Sequence, residues 1–129
     1  MKHQPFTDLT IEKTKLLPAI DFNTNGYMRI EGRIIPDDVG AFFNPLMNWV
    51  KRLSCKKVVF DIKVEYLNTN ALVHLNRMLK QLENNFNLNE ITVNWYYEEE
   101  DEEYHEKGMF IAEKLSKVKF NFHSFVEYD

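Results

Sequence analysis

Three kinds of side chain in this sequence could do chemistry: a block of carboxylates, a few imidazoles and one thiol. Residues Glu98-Glu99-Glu100-Asp101-Glu102-Glu103 are six consecutive acids, with His105 just beyond. A divalent cation takes several carboxylate oxygens, but this spacing matches neither an EF-hand loop nor a zinc-binding His-Glu helix. Acids at a helix start also complement the macrodipole, so the block reads as a solvated helix N-terminus. A small metal-dependent hydrolase built on Glu98 to Glu103 and His105 is the enzymatic alternative. The four histidines are scattered without ligand spacing: His3 in the tail, His74 on the polar side of a helix, then His105 and His123. Surface or structural roles are expected for them. Cys55 is alone, which excludes a disulfide scaffold and a multi-cysteine metal site. It directly precedes an apolar strand and reads as a buried structural thiol. No metal site, cofactor or catalytic residue is expected from these groups.

A fourth feature depends on position. Tyr66-Leu67-Asn68-Thr69-Asn70 joins a strongly alternating strand to a helical pattern. Asn68, Thr69 and Asn70 are all capping types, so a plain helix cap is one reading. The other rests on the place itself, where a strand's C-terminal end meets a helix N-terminus whose N–H groups and dipole favour an anion. A hydroxyl there is placed to carry a phosphoryl group, which brings about -1.5 to -2 charge. No catalytic base, glycine-rich phosphate loop or triad accompanies the motif. That argues for a group acted upon.

The elements around this junction follow from periodicity. Ala19 to Phe22 and Tyr27 to Glu31 flank Asn23-Thr24-Asn25-Gly26, a hairpin signal. Pro36-Asp37-Asp38 opens a first helix, with Val39, Phe42, Phe43, Leu46, Trp49, Val50 and Leu53 at steps of three and four. Pro45 inside it predicts a kink or short break. Lys57 to Tyr66 alternates, with Val58, Phe60, Ile62, Val64 and Tyr66 on one face and Val59, Asp61, Lys63 and Glu65 on the other. The spacing predicts a second helix over about 69–85 with Leu72, Leu75, Leu79, Leu82 and Phe86 inward. A strand from Ile91 to Tyr97, a third helix with Tyr104, Ile111, Leu115 and Val118, and a last strand near 119–127 complete the order ββαβαβαβ. The expected fold is α/β: two layers, a mixed five-stranded sheet, and helices mainly on one face, since the outer strand positions are polar.

Composition sets what this architecture is for. The 129 residues carry 16 Lys+Arg against 20 Asp+Glu, a formal net charge of -4, with 44% hydrophobic and 28% charged residues. That suits one folded domain over 1–129, with residues 1–13 an extended or mobile arm. Mild acidity argues against nucleic-acid binding, and no apolar run reaches the roughly 20 residues of a membrane helix. Met1 to Pro5 lacks the apolar stretch of a signal peptide, so a cytoplasmic location is expected.

Several ordered motifs resemble a known family. Tyr66-Leu67-Asn68-Thr69 before a helix is similar to the Tyr/Phe-Leu/Phe-Asn-Thr/Ser signature of SiaC-family regulatory phosphoproteins, which have a STAS-like fold. Thr14 with Pro18-Ala19-Ile20 resembles the family's Thr-x-x-x-Pro-x-Ile element. Gly32 with Ile35-Pro36-Asp37, then Pro45-Leu46-x-x-Trp49, resembles its helix entry and first helix, and Trp95-Tyr96-Tyr97 its Trp-x-Tyr segment. The resemblance spans about residues 14–126 and departs at Asn70 and Ala71, where the family carries small hydroxyl residues, and at Asp38, where it carries Asn. It implies a regulator and no enzyme. Thr69 would be the phosphoacceptor, with Tyr66, Leu67, Asn68 and Asn70 recognised around it. A cognate protein kinase and a PP2C-like phosphatase would set its state, and the unmodified form would bind and activate a diguanylate cyclase in cyclic-di-GMP signalling. The alternative is a constitutive interaction module that is not phosphorylated, docking through its polar sheet face or the acidic third helix.

Overall fold

The computed structural model describes residues 5–127, so the tail carrying His3 lies outside the described residues. The strands are β1 (Leu9–Ile11), β2 (Ala19–Phe22), β3 (Tyr27–Ile34), β4 (Lys57–Leu67), β5 (Glu90–Glu98) and β6 (Val118–Phe125), and the helices α1 (Val39–Arg52), α2 (Thr69–Glu83) and α3 (Glu102–Glu113). The turn at Asn25-Gly26 makes the β2–β3 hairpin because Gly26 takes φ 103°, and a Cβ there would also run into the Lys57 carbonyl. From β3 onward each helix returns the chain to a parallel strand beside the last, giving one mixed sheet in the order β1-β2-β3-β4-β5-β6.

Right-handed crossovers that step in one direction put all three helices on the same face of the sheet. Burial follows that rule. Met28, Ile30, Val58, Phe60, Ile62, Val93 and Trp95 are buried with Phe43, Leu46 and Val50 of α1, Leu75, Leu79 and Leu82 of α2, and Tyr104 and Ile111 of α3. Across the uncovered face runs a registered polar row, Arg29↔Asp61, Asp61↔Asn94 and Asn94↔Asn121. Asp61 is buried there by its own ligands. Tyr27 Oη donates to it at 3.1 Å, Asn94 Nδ2 at 2.8 Å, and the Arg29 guanidinium lies 3.7 Å away. The two-layer expectation holds, with polar residues on the open side.

The structure corrects several local expectations. A sixth strand, β1, pairs antiparallel with β2 within the stretch read as an arm, and Thr7 O accepts from Trp49 Nε1 at 2.8 Å. Neither apolar periodicity nor turn chemistry marks a three-residue edge strand. Helix α1 starts one residue later than its acids, with Asp38 as N-cap accepting from the Ala41 N–H at 3.0 Å, and it continues through Pro45 without a break. Helix α2 ends at Glu83, because Asn85 leaves the helix and caps the end of α1, donating to Val50 O at 2.9 Å and Leu53 O at 2.8 Å. Phe86 is thereby left in the turn, 96% exposed instead of inward.

The most consequential correction lies in β4. The β3–β4 register runs Gly32↔Val64 and then Arg33↔Tyr66, so Glu65 has no partner and forms a bulge. An extra residue inverts the parity of everything after it. Tyr66, expected inward, is 46% exposed, and Leu67 is buried in its place.

Candidate functional site

The junction motif sits where β4, central in the sheet, delivers the chain to α2. Leu67 anchors it in the core, 2% exposed, while the bulge turns Tyr66 outward beside the helix start. Asn68 is the N-cap: its extended backbone (φ -78°, ψ 172°) lets the side-chain oxygen accept from the Ala71 N–H at 2.8 Å. Thr69 is then the first helical residue, and Thr69 and Asn70 are both exposed. A side chain at that position lies against N–H groups that lack carbonyl partners within the helix. Substituting Asn68→Ala is expected to cost about 1 kcal/mol of stability, read as a lower urea midpoint at unchanged slope.

A second element closes on the junction. Asp101 caps α3 by accepting from the Tyr104 N–H at 3.0 Å, and one turn on, Lys107 Nζ donates to the Leu67 carbonyl at 2.7 Å. Lys107 also pairs with Glu103 at 3.5 Å. A cation from a helix 40 residues downstream is thus held at the carbonyl two residues before Thr69. The helices α1, α2 and α3 all begin at the C-terminal ends of parallel strands, the edge where open α/β sheets assemble their sites. Lys107 was not singled out in the sequence. An i,i+4 partner for Glu103 was its visible feature, and nothing local points to Leu67.

The other candidates lie apart from this place. The acid block divides: Glu98 ends β5, Glu99 and Glu100 form a turn, Asp101 is the α3 cap, and Glu102 and Glu103 lie in the first turn of α3. Among the described residues no group of three or more His, Cys, Asp or Glu side chains is placed to hold a metal ion. His74 is half-buried against α1 and not on a polar side, stacked 5.6 Å from Phe43, with Nδ1 2.9 Å from Asn70 O. His105 lies flat on Tyr97, centroids 4.2 Å apart, and His123 reaches Asn94 Oδ1 at 3.1 Å on the open sheet face. Cys55 is half-buried, its Sγ 3.6 Å from Lys57 O, and burial pushes its thiol pKa up. An inert thiol results. Among the described residues no helix is long and apolar enough to cross a membrane.

Comparison with known proteins agrees with this geometry. The chain's fold matches that of SiaC of Pseudomonas aeruginosa, with a TM-score of 0.81 at 22% identity over 92% of this chain and 99% of that one. It also matches a chain in the crystal structure of the diguanylate cyclase SiaD in complex with its activator SiaC from the same organism, with a TM-score of 0.81 at 23% identity over 92% and 100%. Apo-SiaC gives a TM-score of 0.76 at 21% identity over 91% and 98%. No curated protein sequence matches the chain. The profile of the SiaC family regulatory phosphoproteins matches residues 11–125, and the chain belongs to that family.

Proposed function

We propose that this protein is a single-domain, cytoplasmic partner-switching regulator whose state is set at Thr69. Unmodified, it binds and activates a diguanylate cyclase, feeding cyclic-di-GMP signalling, and a phosphoryl group on Thr69 releases the cyclase. A cognate protein kinase adds the group and a PP2C-like phosphatase removes it. The observation that carries this reading is the exposed Thr69 hydroxyl at the start of α2, in a chain of a regulatory phosphoprotein family. The cyclase enters because SiaC, whose fold this chain shares, occurs in complex with the diguanylate cyclase SiaD as its activator. Recognition falls to the exposed Tyr66 and Asn70 flanking the acceptor. Asn68 fixes the loop as cap, and the buried Leu67 holds it in place.

Phosphosite mapping after co-expression with the cognate kinase, wild type against Thr69→Ala, tests the acceptor. A single added phosphate is expected on the wild type and none on the variant. Label that persists in Thr69→Ala would move the site elsewhere. A constitutive module is the second reading, favoured by Asn70 and the fully buried Ala71 where small hydroxyl residues were expected. Cyclase capture that ignores both kinase and phosphatase would decide for it.

A further inference from the structure

The sheet ends on two unlike edges. Its β1 edge is three residues long, too short to template another strand. The β6 edge runs for eight residues, Val118–Phe125, in unbroken register with β5 and without a proline or bulge. Of the devices that usually guard such an edge it carries only Lys119. One bond gives the direction of its backbone groups: Phe125 O accepts from the Glu99 N–H at 2.8 Å, on the β5 side. Alternation then turns the N–H and C=O groups of Lys119, Asn121 and His123 toward β5 and those of Val118, Phe120, Phe122 and Ser124 outward. No strand, helix or loop among the described residues pairs with this outward row.

The helix side of the same border is apolar. Asn121 belongs to the open-face row, so Phe120 and Phe122 face the helices, and both are half-buried. Phe120 lies 5.9 Å from the Trp95 ring, and Phe122 lies 5.1 Å from His105 of α3. Met109 follows His105 by one turn on the same flank of α3 and is 39% exposed. Unpaired backbone groups and an apolar strip therefore end together at one border of the molecule.

We propose that this border pairs with a second copy of the chain, β6 antiparallel to β6 across a two-fold axis, joining the two sheets into one. The strand's own sequence selects that occupant. Side chains must meet others on the same face, so the axis passes through a residue and not between two. With Phe122 on the axis, Lys117 meets Glu127 of the second copy, Val118 meets Val126, Phe120 meets Ser124 and Asn121 meets His123. Neither Lys117 nor Glu127 forms an ion pair within the chain among the described residues. An axis through Asn121 sets Lys119 against His123 and leaves Glu127 facing Leu115, and one through His123 shortens the overlap at Val118. Charge complementarity thus favours the Phe122 register. The pairing is independent of the Thr69 switch, and it points the two Thr69 edges in opposite directions, leaving both free.

Sedimentation equilibrium on the full chain tests the contact, and amide exchange locates it. A monomer–dimer equilibrium is expected, with the N–H groups of Phe120, Phe122 and Ser124 exchanging more slowly as concentration rises. Ser124→Pro removes an outward N–H and no bond to β5. It is expected to raise the dimer Kd about tenfold while the dilute, monomeric protein melts as wild type does. Lys117→Glu is expected to weaken the dimer about tenfold as well, and adding Glu127→Lys to restore it. A chain that stays monomeric up to about 1 mM overturns the proposal. So does a dimer whose outward N–H groups exchange as fast as in the monomer. A dimer that Ser124→Pro and Lys117→Glu leave intact overturns it too, and weakening by Lys117→Glu that Glu127→Lys does not reverse overturns the Phe122 register.

Discussion

Thr69→Glu is expected to stabilise the free protein slightly and to weaken its binding to the cyclase by about a hundredfold, two effects of opposite sign from one charge. The stabilising part is local. A carboxylate at the first position of the 15-residue α2 faces unpaired N–H groups and complements the dipole, worth about 0.3–1 kcal/mol. Lys107, held at the Leu67 carbonyl, adds a nearby cation. The destabilising part belongs to the interface, where a surface fitted to a neutral hydroxyl must bury a new anion, next to a groove along Tyr66 and Leu67 that Glu65, Asp101 and Glu103 also line. Uncompensated or like charges across an interface cost several kcal/mol, and about 1.4 kcal/mol is a tenfold change. A phosphoryl group carries about -1.5 to -2 charge and should act more strongly still. Thr69→Ala lacks the charge and is expected to bind like the wild type. Calorimetric titration with the cyclase and thermal melts of the free variants read the two effects separately. Equal affinity of the Glu and Ala variants would remove charge as the basis of release.

What made this site legible was local. A strand with period two, a capping Asn and a hydroxyl at the next position are neighbours in sequence, and local rules place them without reference to the rest of the chain. The hairpin at Asn25-Gly26 and the polar side of the sheet were readable for the same reason. Where the outcome depends on a distant partner, local pattern does not carry it. Tyr66 followed the alternation of β4 inward on paper, but the register against β3 slips at Gly32, and a slip between strands leaves no mark within either one. Phe86 continued the period of α2, yet Asn85 is drawn out of the helix to cap α1. Lys107 has no mark of its own within the sequence of an acidic helix. Its role comes from the way α3 packs down onto the end of β4, which only the assembled sheet determines.

Gly108 shows how far that packing outweighs local preference. It lies in the interior of α3, where replacing glycine by alanine normally gains about 1 kcal/mol of helix propensity. Here Gly108→Ala is expected to destabilise the protein by about 2 kcal/mol net. A Cβ at this position would lie 2.6, 2.7 and 2.8 Å from three atoms of the Trp95 indole, well inside van der Waals contact. The indole cannot yield. It is fully buried, stacked on Tyr104 at 4.6 Å, packed near Phe120 at 5.9 Å, and its Nε1 donates to Tyr104 O at 3.3 Å. Forcing atoms into such a core costs about 1–3 kcal/mol and sometimes more, and a cost of about 3 kcal/mol less the propensity gain of about 1 kcal/mol leaves about 2 kcal/mol net. The helix must therefore move off the sheet, and it carries the site with it. Lys107 precedes the glycine by one residue, so its 2.7 Å bond to the Leu67 carbonyl is the first contact expected to lengthen. Urea unfolding should show a lower midpoint, and the amide resonances of Leu67 to Thr69 should shift in the folded variant. A variant more stable than wild type, with those resonances unmoved, would mean that α3 rests on the sheet through contacts other than the one between Gly108 and Trp95.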